Sequence, residues 1–354
     1  MSNMPLKKSD VKFLLLEGIH KSAVSFLKNA GFSNVEYCAS SVSEDELKDK
    51  ISEVHIVGIR SRTIISEEIL CCANNLIAVG CFCIGTNQVD LDAAGRKGIA
   101  VFNAPHSNTR SVAELVIGQI IFLMRGLIKK NSSCHSGGWL KGAVNSHEIR
   151  GKKLGIVGYG AIGSQLSVLA EGMGLDVYFY DVVAKLPIGN AKKVSTLHEM
   201  LSFVDIVSLH VPDIPETHLI MGEGEFAVMK KGAMIINAAR GSLVDIPCLV
   251  QALKSGSLGG AAIDVFPTEP LSSEDDFVSP LQGIDNVILT PHIGGSTIEA
   301  QFNIGLEVAS KLAAYCDSNA NITPINHATL SWAEQICRHQ ILPLLQDIGT
   351  EALN

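Results

Sequence analysis

No CxxC pair occurs in this 354-residue sequence, and its nine cysteines are scattered and odd in number. Such spacing predicts neither a disulfide framework nor a metal site; it predicts reduced thiols, with the Cys81-Phe-Cys83 pair packed in a core. Positive charge is not in excess either. The net charge is −8, which argues against a nucleic-acid partner, although an acidic chain can hold an anion by gathering cations locally. Long apolar runs are also missing. The run in KFLLLEG (12–18) is too short for a secretory signal, and no small-residue cleavage site follows it. The most apolar stretch, VAELVIGQIIFLM (112–124), contains Glu114 and Gln119 and is shorter than the roughly 20 residues of a membrane span. The expected setting is cytoplasmic, with no membrane partner. The sequence shows no internal repeat and no low-complexity segment.

What is present is an aliphatic, glycine-rich composition, with 47% apolar residues, 32 glycines and 5% aromatics, the profile of an α/β protein. The length suggests two domains. KFLLLEG (12–18), VHIVGI (54–59), LIAVG (76–80) and IAVF (99–102) read as buried strands, with helical spacing over 20–31 and 43–53. A second series follows: LGIVG (154–158), DVYFYD (176–181), DIVSLHV (205–211), AMIINAA (233–239), GAAIDVF (260–266) and NVILTPH (286–292), then a closing helix over 296–316. Strands alternating with helices imply βαβ units and mostly parallel sheets. The expected fold is therefore α/β, with two doubly wound lobes, and the order of pieces lets the last helix return to the first lobe. Ser111-Val-Ala-Glu114 matches a capping box that would open the apolar helix. Its apolar residues wrap most of the way round, which predicts burial in a core or against a second subunit. The polar stretch CHSGGWLKGAVNSHEIRGKK (134–153) reads as an exposed excursion.

Gly158-Tyr-Gly160-Ala-Ile-Gly163 lies between a strand and a helical stretch. There each glycine has a use: a tight turn, room for a pyrophosphate, and close packing of helix on strand. The helix N-terminus would offer unpaired N–H groups to the phosphates. Asp181 ends the next strand about twenty residues further on, where an acid can hydrogen-bond the adenosine ribose. A carboxylate there repels a 2′-phosphate, and the following Val-Val-Ala-Lys supplies no arginine, so NAD is expected rather than NADP. Three further charged residues each follow a strand: Arg240 after IINAA, Glu269 in FPTEP and His292 in LTPHIGG. Ligands of an open parallel sheet bind outside the carboxyl ends of its strands, so all three should share an edge with the glycine turn. A histidine can take the proton of an alcohol, a carboxylate can fix its tautomer, and an arginine can grip a carboxylate. Together they suit oxidation of a 2-hydroxy acid; taken singly, His292 reads more often as a structural histidine and Glu269, beside a proline, as a loop residue.

NAARGSLVD (237–245), AAIDVFPTEPL (261–271) and LTPHIGGST (289–297) resemble, in order and content, three diagnostic segments of the D-isomer-specific 2-hydroxyacid dehydrogenases. The resemblance runs from about residue 10 to about residue 328. GIRSRT (58–63), CIGTNQVDLDAAGRKGIAVFNAP (83–105) and NTRSVAEL (108–115) resemble the branch that acts on a phosphorylated substrate. It implies that Arg240, Glu269 and His292 are catalytic. It also implies that Gly158, Gly160, Ala161, Ile162, Gly163, Asp181, His210, Val211, Pro212, Ala238, Ala239, Arg240, Asp264, His292, Gly294 and Gly295 touch the cofactor. A Rossmann-type NAD-binding domain (106–296) would be inserted into a flavodoxin-like substrate domain (1–105 and 297–330). The substrate phosphate would meet Arg60, Ser61, Gly85, Asn87 and Asn108, with Arg62 on the same side as Arg60 if the segment is extended, and Arg240 on the carboxylate. The same surface would admit a second carboxylate in place of a phosphate. Lys141 and the indole of Trp139 could each reach a neighbouring subunit, in a homodimer through the 112–128 helix or a tetramer. Branch members often carry a C-terminal regulatory domain; residues 322–354 are too few for a βαββαβ module, so 331–354 is expected to be a tail without feedback control. The same fold also serves acids without phosphate and non-enzymatic NAD(H) sensors.

Overall fold

The computed structural model describes residues 7–270, 275–317 and 322–326. The tail expected over 331–354 lies outside the described residues. Asn108–Thr297 forms one compact unit, and the other is assembled from the chain up to Ser107 and from Ile298 onward.

In the split unit, β1 (Phe13–Leu15), β2 (Val35–Tyr37), β3 (Ile56–Ile59), β4 (Ala78–Cys81) and β5 (Ala100–Phe102) form a parallel sheet in the order β2-β1-β3-β4-β5. This is the flavodoxin-like order 2-1-3-4-5. The connecting helices are α1 (Lys21–Asn29), α2 (Glu44–Ile51), α3 (Glu67–Cys72) and α4 (Leu91–Arg96). Three of them begin where a short polar side chain accepts from the backbone three residues on: Ser43 from Glu46, Ser66 from Ile69 and Asp90 from Ala93. Every residue of β1, β3, β4 and β5 is buried, which is why these strands read as continuous apolar runs rather than alternating ones.

The second unit opens with α5 (Thr109–Arg125) and α6 (Leu127–His135). Its sheet contains β6 (Lys153–Val157), β7 (Asp176–Tyr180), β8 (Lys192–Lys193), β9 (Ile206–Leu209), β10 (Ala233–Asn237), β11 (Leu258–Ile263) and β12 (Val287–Leu289). Its order, β12-β11-β10-β9-β6-β7-β8, is all parallel and reverses between β6 and β9. That is the dinucleotide-binding order 3-2-1-4-5-6 with one strand added at the far edge. Helices α7 (Ala161–Gly172), α8 (Leu197–Leu201), α9 (Glu223–Val228) and α10 (Ile246–Lys254) cross over between strands.

The closing helix α11 (Ile298–Tyr315) sends Ile304, Val308 and Leu312 into the core of the split unit beside Phe13 and Phe102. Burying each such side chain contributes about 1.5–3 kcal/mol. Two strands escape the sequence pattern. β2 carries two exposed residues of three and β8 is a pair of lysines, so neither edge has an apolar signal. The capping box at Ser111 does not form. Helix α5 starts at Thr109, the Ser111 hydroxyl bonds that of Thr297, and Glu114 pairs with Arg110. The apolar helix is buried on one face only, through Val112, Val116, Ile120 and Leu123, while Phe122 stays 41% exposed. Among the described residues no single helix is long and apolar enough to cross a membrane, and every described cysteine is a free thiol.

Candidate active site

The strand order of the second sheet reverses between β6 and β9, and the glycine turn lies at the carboxyl end of β6. Gly158 follows β6 with φ +93, and a Cβ on it would come within 2.7 Å of the His210 carbonyl oxygen, which follows β9. A Cβ on Gly163 would lie 2.1 Å from the Gly158 carbonyl oxygen, so the first turn of α7 can press against the strand only without a side chain. At Gly160, the residue that caps α7, a Cβ would meet nothing within 4 Å and no side chain caps the helix. The helix N-terminus is therefore open to an incoming anion. Asp181, just past β7, accepts from the Tyr159 N–H at 2.7 Å and the Val183 N–H at 2.8 Å, which ties the turn to the neighbouring strand end. The ring of Tyr159 stacks on Phe179 with centroids 3.9 Å apart.

Burial pushes His210 down to about 4, so its ring is neutral at pH 7. Its Nε2 meets the Ser208 hydroxyl at 2.8 Å, and its Nδ1 is enclosed without a partner. An uncapped helix end, a Cβ-free approach, an acid on the adjacent strand and an enclosed polar atom beside the turn fit a dinucleotide.

Across the same edge, β10, β11 and β12 deliver Arg240, Glu269 and His292. Glu269 Oε1 accepts from the Phe266 N–H at 3.0 Å, and Oε2 lies 2.8 Å from His292 Nδ1. The hydrogen bond to Glu269 raises the His292 imidazole above its ordinary value, against burial and a smaller opposing effect of Arg240. Burial raises the Glu269 carboxyl, but the bonds from His292 and Phe266 outweigh it and the net direction is down. Arg240 acts electrostatically on both groups, so the three charges share one field. Its Nη1 donates to the Ala239 carbonyl at 2.6 Å.

Two residues shape these loops from beneath. His292 adopts φ +54, a conformation that side chains other than glycine enter rarely. Asp264, 1% exposed, accepts from the N–H groups of Ile293 and Gly294 and from the Thr290 hydroxyl, while its carbonyl takes the His292 N–H. The family resemblance implied that Asp264 touches the cofactor; its carboxylate bonds the loop around His292 instead. Asn237, also 1% exposed, accepts from the Ala239 N–H and donates to the Arg240 carbonyl. The sequence reading missed it; the available signal was an amide ending the apolar run AMIIN.

Ala161 and Ile162 lie in the first turn of α7, Val211 and Pro212 follow β9, Ala238 and Ala239 follow β10, and Gly294 and Gly295 follow β12. All follow strands of the parallel sheet at the edge that carries the glycine turn. Asn108 precedes α5 and its Oδ1 is enclosed without a partner. In the split unit, Arg60 is half-buried and Ser61 and Arg62 are exposed at the end of β3. The segment bends rather than extends, so alternation does not set where the two guanidiniums point. Neither takes part in an ion pair among the described residues. The Gly85 carbonyl accepts from Gln88 Nε2 and Cys83 Sγ, and Asn87 is exposed. Trp139 is 81% exposed, and Lys141 is exposed in the same excursion.

Residues 117–294 match the family described as D-isomer specific 2-hydroxyacid dehydrogenase, NAD binding domain. The chain is 57% identical over 333 residues to the D-3-phosphoglycerate dehydrogenase of Haemophilus influenzae, and 54% identical over 331 residues to that of Escherichia coli. Each alignment covers 94% of this chain and 81% of the relative. The solved structure of a D-lactate dehydrogenase from Aquifex aeolicus, complexed with NAD and lactic acid, matches with a TM-score of 0.75 and 27% identity. That match covers 86% of this chain and 95% of the other. NAD is the cofactor of this chain, and a small hydroxy acid is its class of substrate. With its glycine turn, its strand-end acid and the three segments around Arg240, Glu269 and His292, the chain belongs to the D-isomer specific 2-hydroxyacid dehydrogenase family.

Proposed function

We propose that the chain oxidises the C2 hydroxyl of 3-phospho-D-glycerate, giving 3-phosphohydroxypyruvate, the first committed oxidation towards L-serine. The observation that carries the chemistry is the 2.8 Å contact between His292 Nδ1 and Glu269 Oε2 at the dinucleotide edge. Because Nδ1–H donates to the carboxylate, Nε2 is left as the basic nitrogen and takes the proton of the C2 hydroxyl. Glu269 stabilises the imidazolium that forms, and Arg240 holds the substrate carboxylate with its two-pronged guanidinium. Bound NAD supplies the acceptor for the hydride of C2. The choice of substrate is supported by the names of the relatives and by Arg60 and Arg62, whose guanidiniums have no carboxylate partner among the described residues and suit a phosphate. A dicarboxylate such as 2-oxoglutarate would present its second anion to the same cations.

The unit Asn108–Thr297 also carries the surface for self-association. Phe122, Leu127 and Ile128 are each about 40% exposed along α5 and α6, and Trp139 and Val144 are more exposed still, and exposed apolar side chains of this size suit an interface. The chain works in the cytoplasm as a homodimer through this face, with Trp139 and Lys141 reaching the second subunit.

His292→Ala is expected to lower kcat by about 10² to 10⁴ with NADH still bound by fluorescence titration; retained turnover would assign the base elsewhere. The acid limb of kcat/KM in the oxidative direction should lie above about pH 6.5, because the base must be unprotonated and its conjugate acid is stabilised. Glu269→Gln removes that stabilisation, so the limb should move to lower pH in an NADH-absorbance pH profile. Arg60→Ala should lower kcat/KM for 3-phosphoglycerate by about tenfold or more and that for glycerate or lactate far less; equal losses would dismiss the phosphate contact. Phe122→Asp should shift the sedimentation coefficient to that of a monomer.

A further inference from the structure

Glu17, in the split unit, has a geometry that the proposed reaction leaves unused. It lies just beyond β1, is 9% exposed and has φ +60, so the chain adopts an unfavourable backbone conformation to bury an acid. Its carboxylate accepts three backbone N–H groups from a single four-residue stretch. Oε1 takes those of Arg60 at 3.0 Å and Thr63 at 2.9 Å, and Oε2 takes that of Arg62 at 3.0 Å. A second side chain holds the same stretch from the other side. Gln88 Nε2 donates to the Arg60 carbonyl at 2.6 Å and also reaches the Gly85 carbonyl. The peptide unit before Arg60 and the one after it are thus both fixed.

An acid beside two arginines ordinarily forms ion pairs with them, yet no ion pair joins Glu17 to Arg60 or Arg62 among the described residues. Its charge is met by amide dipoles instead, as in a backbone nest whose anion the chain itself supplies. The consequence is selective. The loop is pinned through its backbone, and neither guanidinium has an ion-pair partner among the described residues. A loop held this way loses little backbone freedom when it binds an anion, which favours binding.

We propose that Glu17, assisted by Gln88, is a positioning residue that shapes the Arg60–Thr63 loop into an anion-binding surface while keeping its arginines unpaired. The inference rests on the reading of Arg60 as a phosphate contact. In Glu17→Gln the amide keeps the shape but turns an N–H₂ towards backbone donors, so the loop must shift. The readout is the ratio of kcat/KM for 3-phosphoglycerate to that for D-glycerate, measured beside the melting temperature. The expected result is a fall in the ratio of about tenfold, the scale of a hydrogen bond to a charged group, carried by KM. Gln88→Leu should move the ratio the same way. The double variant Glu17→Gln/Arg60→Ala should have the ratio of Arg60→Ala alone, because the two changes act through one contact. A lowered melting temperature with an unaltered ratio in both single variants would overturn the proposal. Should Glu17→Gln not fold, the Gln88→Leu ratio decides by itself. If Arg60→Ala itself leaves the ratio unaltered, the phosphate contact has failed, whereas a fall in Arg60→Ala without one in Glu17→Gln and Gln88→Leu refutes only the positioning role.

Discussion

The imidazole of His292 stands where it does because its own backbone is held at φ +54. A left-handed turn at a residue with a side chain persists only when its surroundings fix it. Here one buried carboxylate does so: Asp264 takes the N–H groups of Ile293 and Gly294, and its carbonyl takes that of His292. With the turn fixed, Nδ1 meets Glu269 and the tautomer follows. Were the turn to relax, the ring would leave both the carboxylate and the edge that holds the dinucleotide.

The same device appears three times. Glu17, Asp181 and Asp264 each follow a parallel strand, and each carboxylate accepts backbone N–H groups of a loop bearing functional groups. Asp181 holds the glycine turn, Asp264 the His292 turn, and Glu17 the Arg60–Thr63 stretch. The logic is electrostatic. A parallel sheet directs all its strand ends to one edge, where the loops have donors but no ladder to join. An anionic acceptor offers several strong lone-pair sites at once, so one acid can define a loop that glycine alone would leave loose.

Much of the fold was legible because buried parallel strands are continuous apolar runs, and such runs are distinctive. DIVSLHV and AMIINAA each contain the strand found there, and LGIVG covers all of its strand but Lys153. The edge strands β2 and β8 were not legible, since an exposed edge needs no apolar pattern. The apparent capping box at Ser111 was misleading: a hydroxyl and an acid at the right spacing found other partners, Thr297 and Arg110. Chain spacing carries no information about those partners.

The sequence by itself determined the chemistry available: a glycine turn shaped for a dinucleotide, an acid set against a 2′-phosphate, and a base, a carboxylate and a guanidinium each placed after a strand. Side-chain type and strand periodicity are local properties, so local pattern records them. Only the tertiary structure decided which oxygen of Glu269 faces Nδ1, that Asp264 serves the His292 turn, and that Glu17 and Gln88 grip the arginine loop. These are contacts between segments up to 46 residues apart in chain separation at Glu17 and Thr63, and their direction is set by where the sheet brings strand ends together.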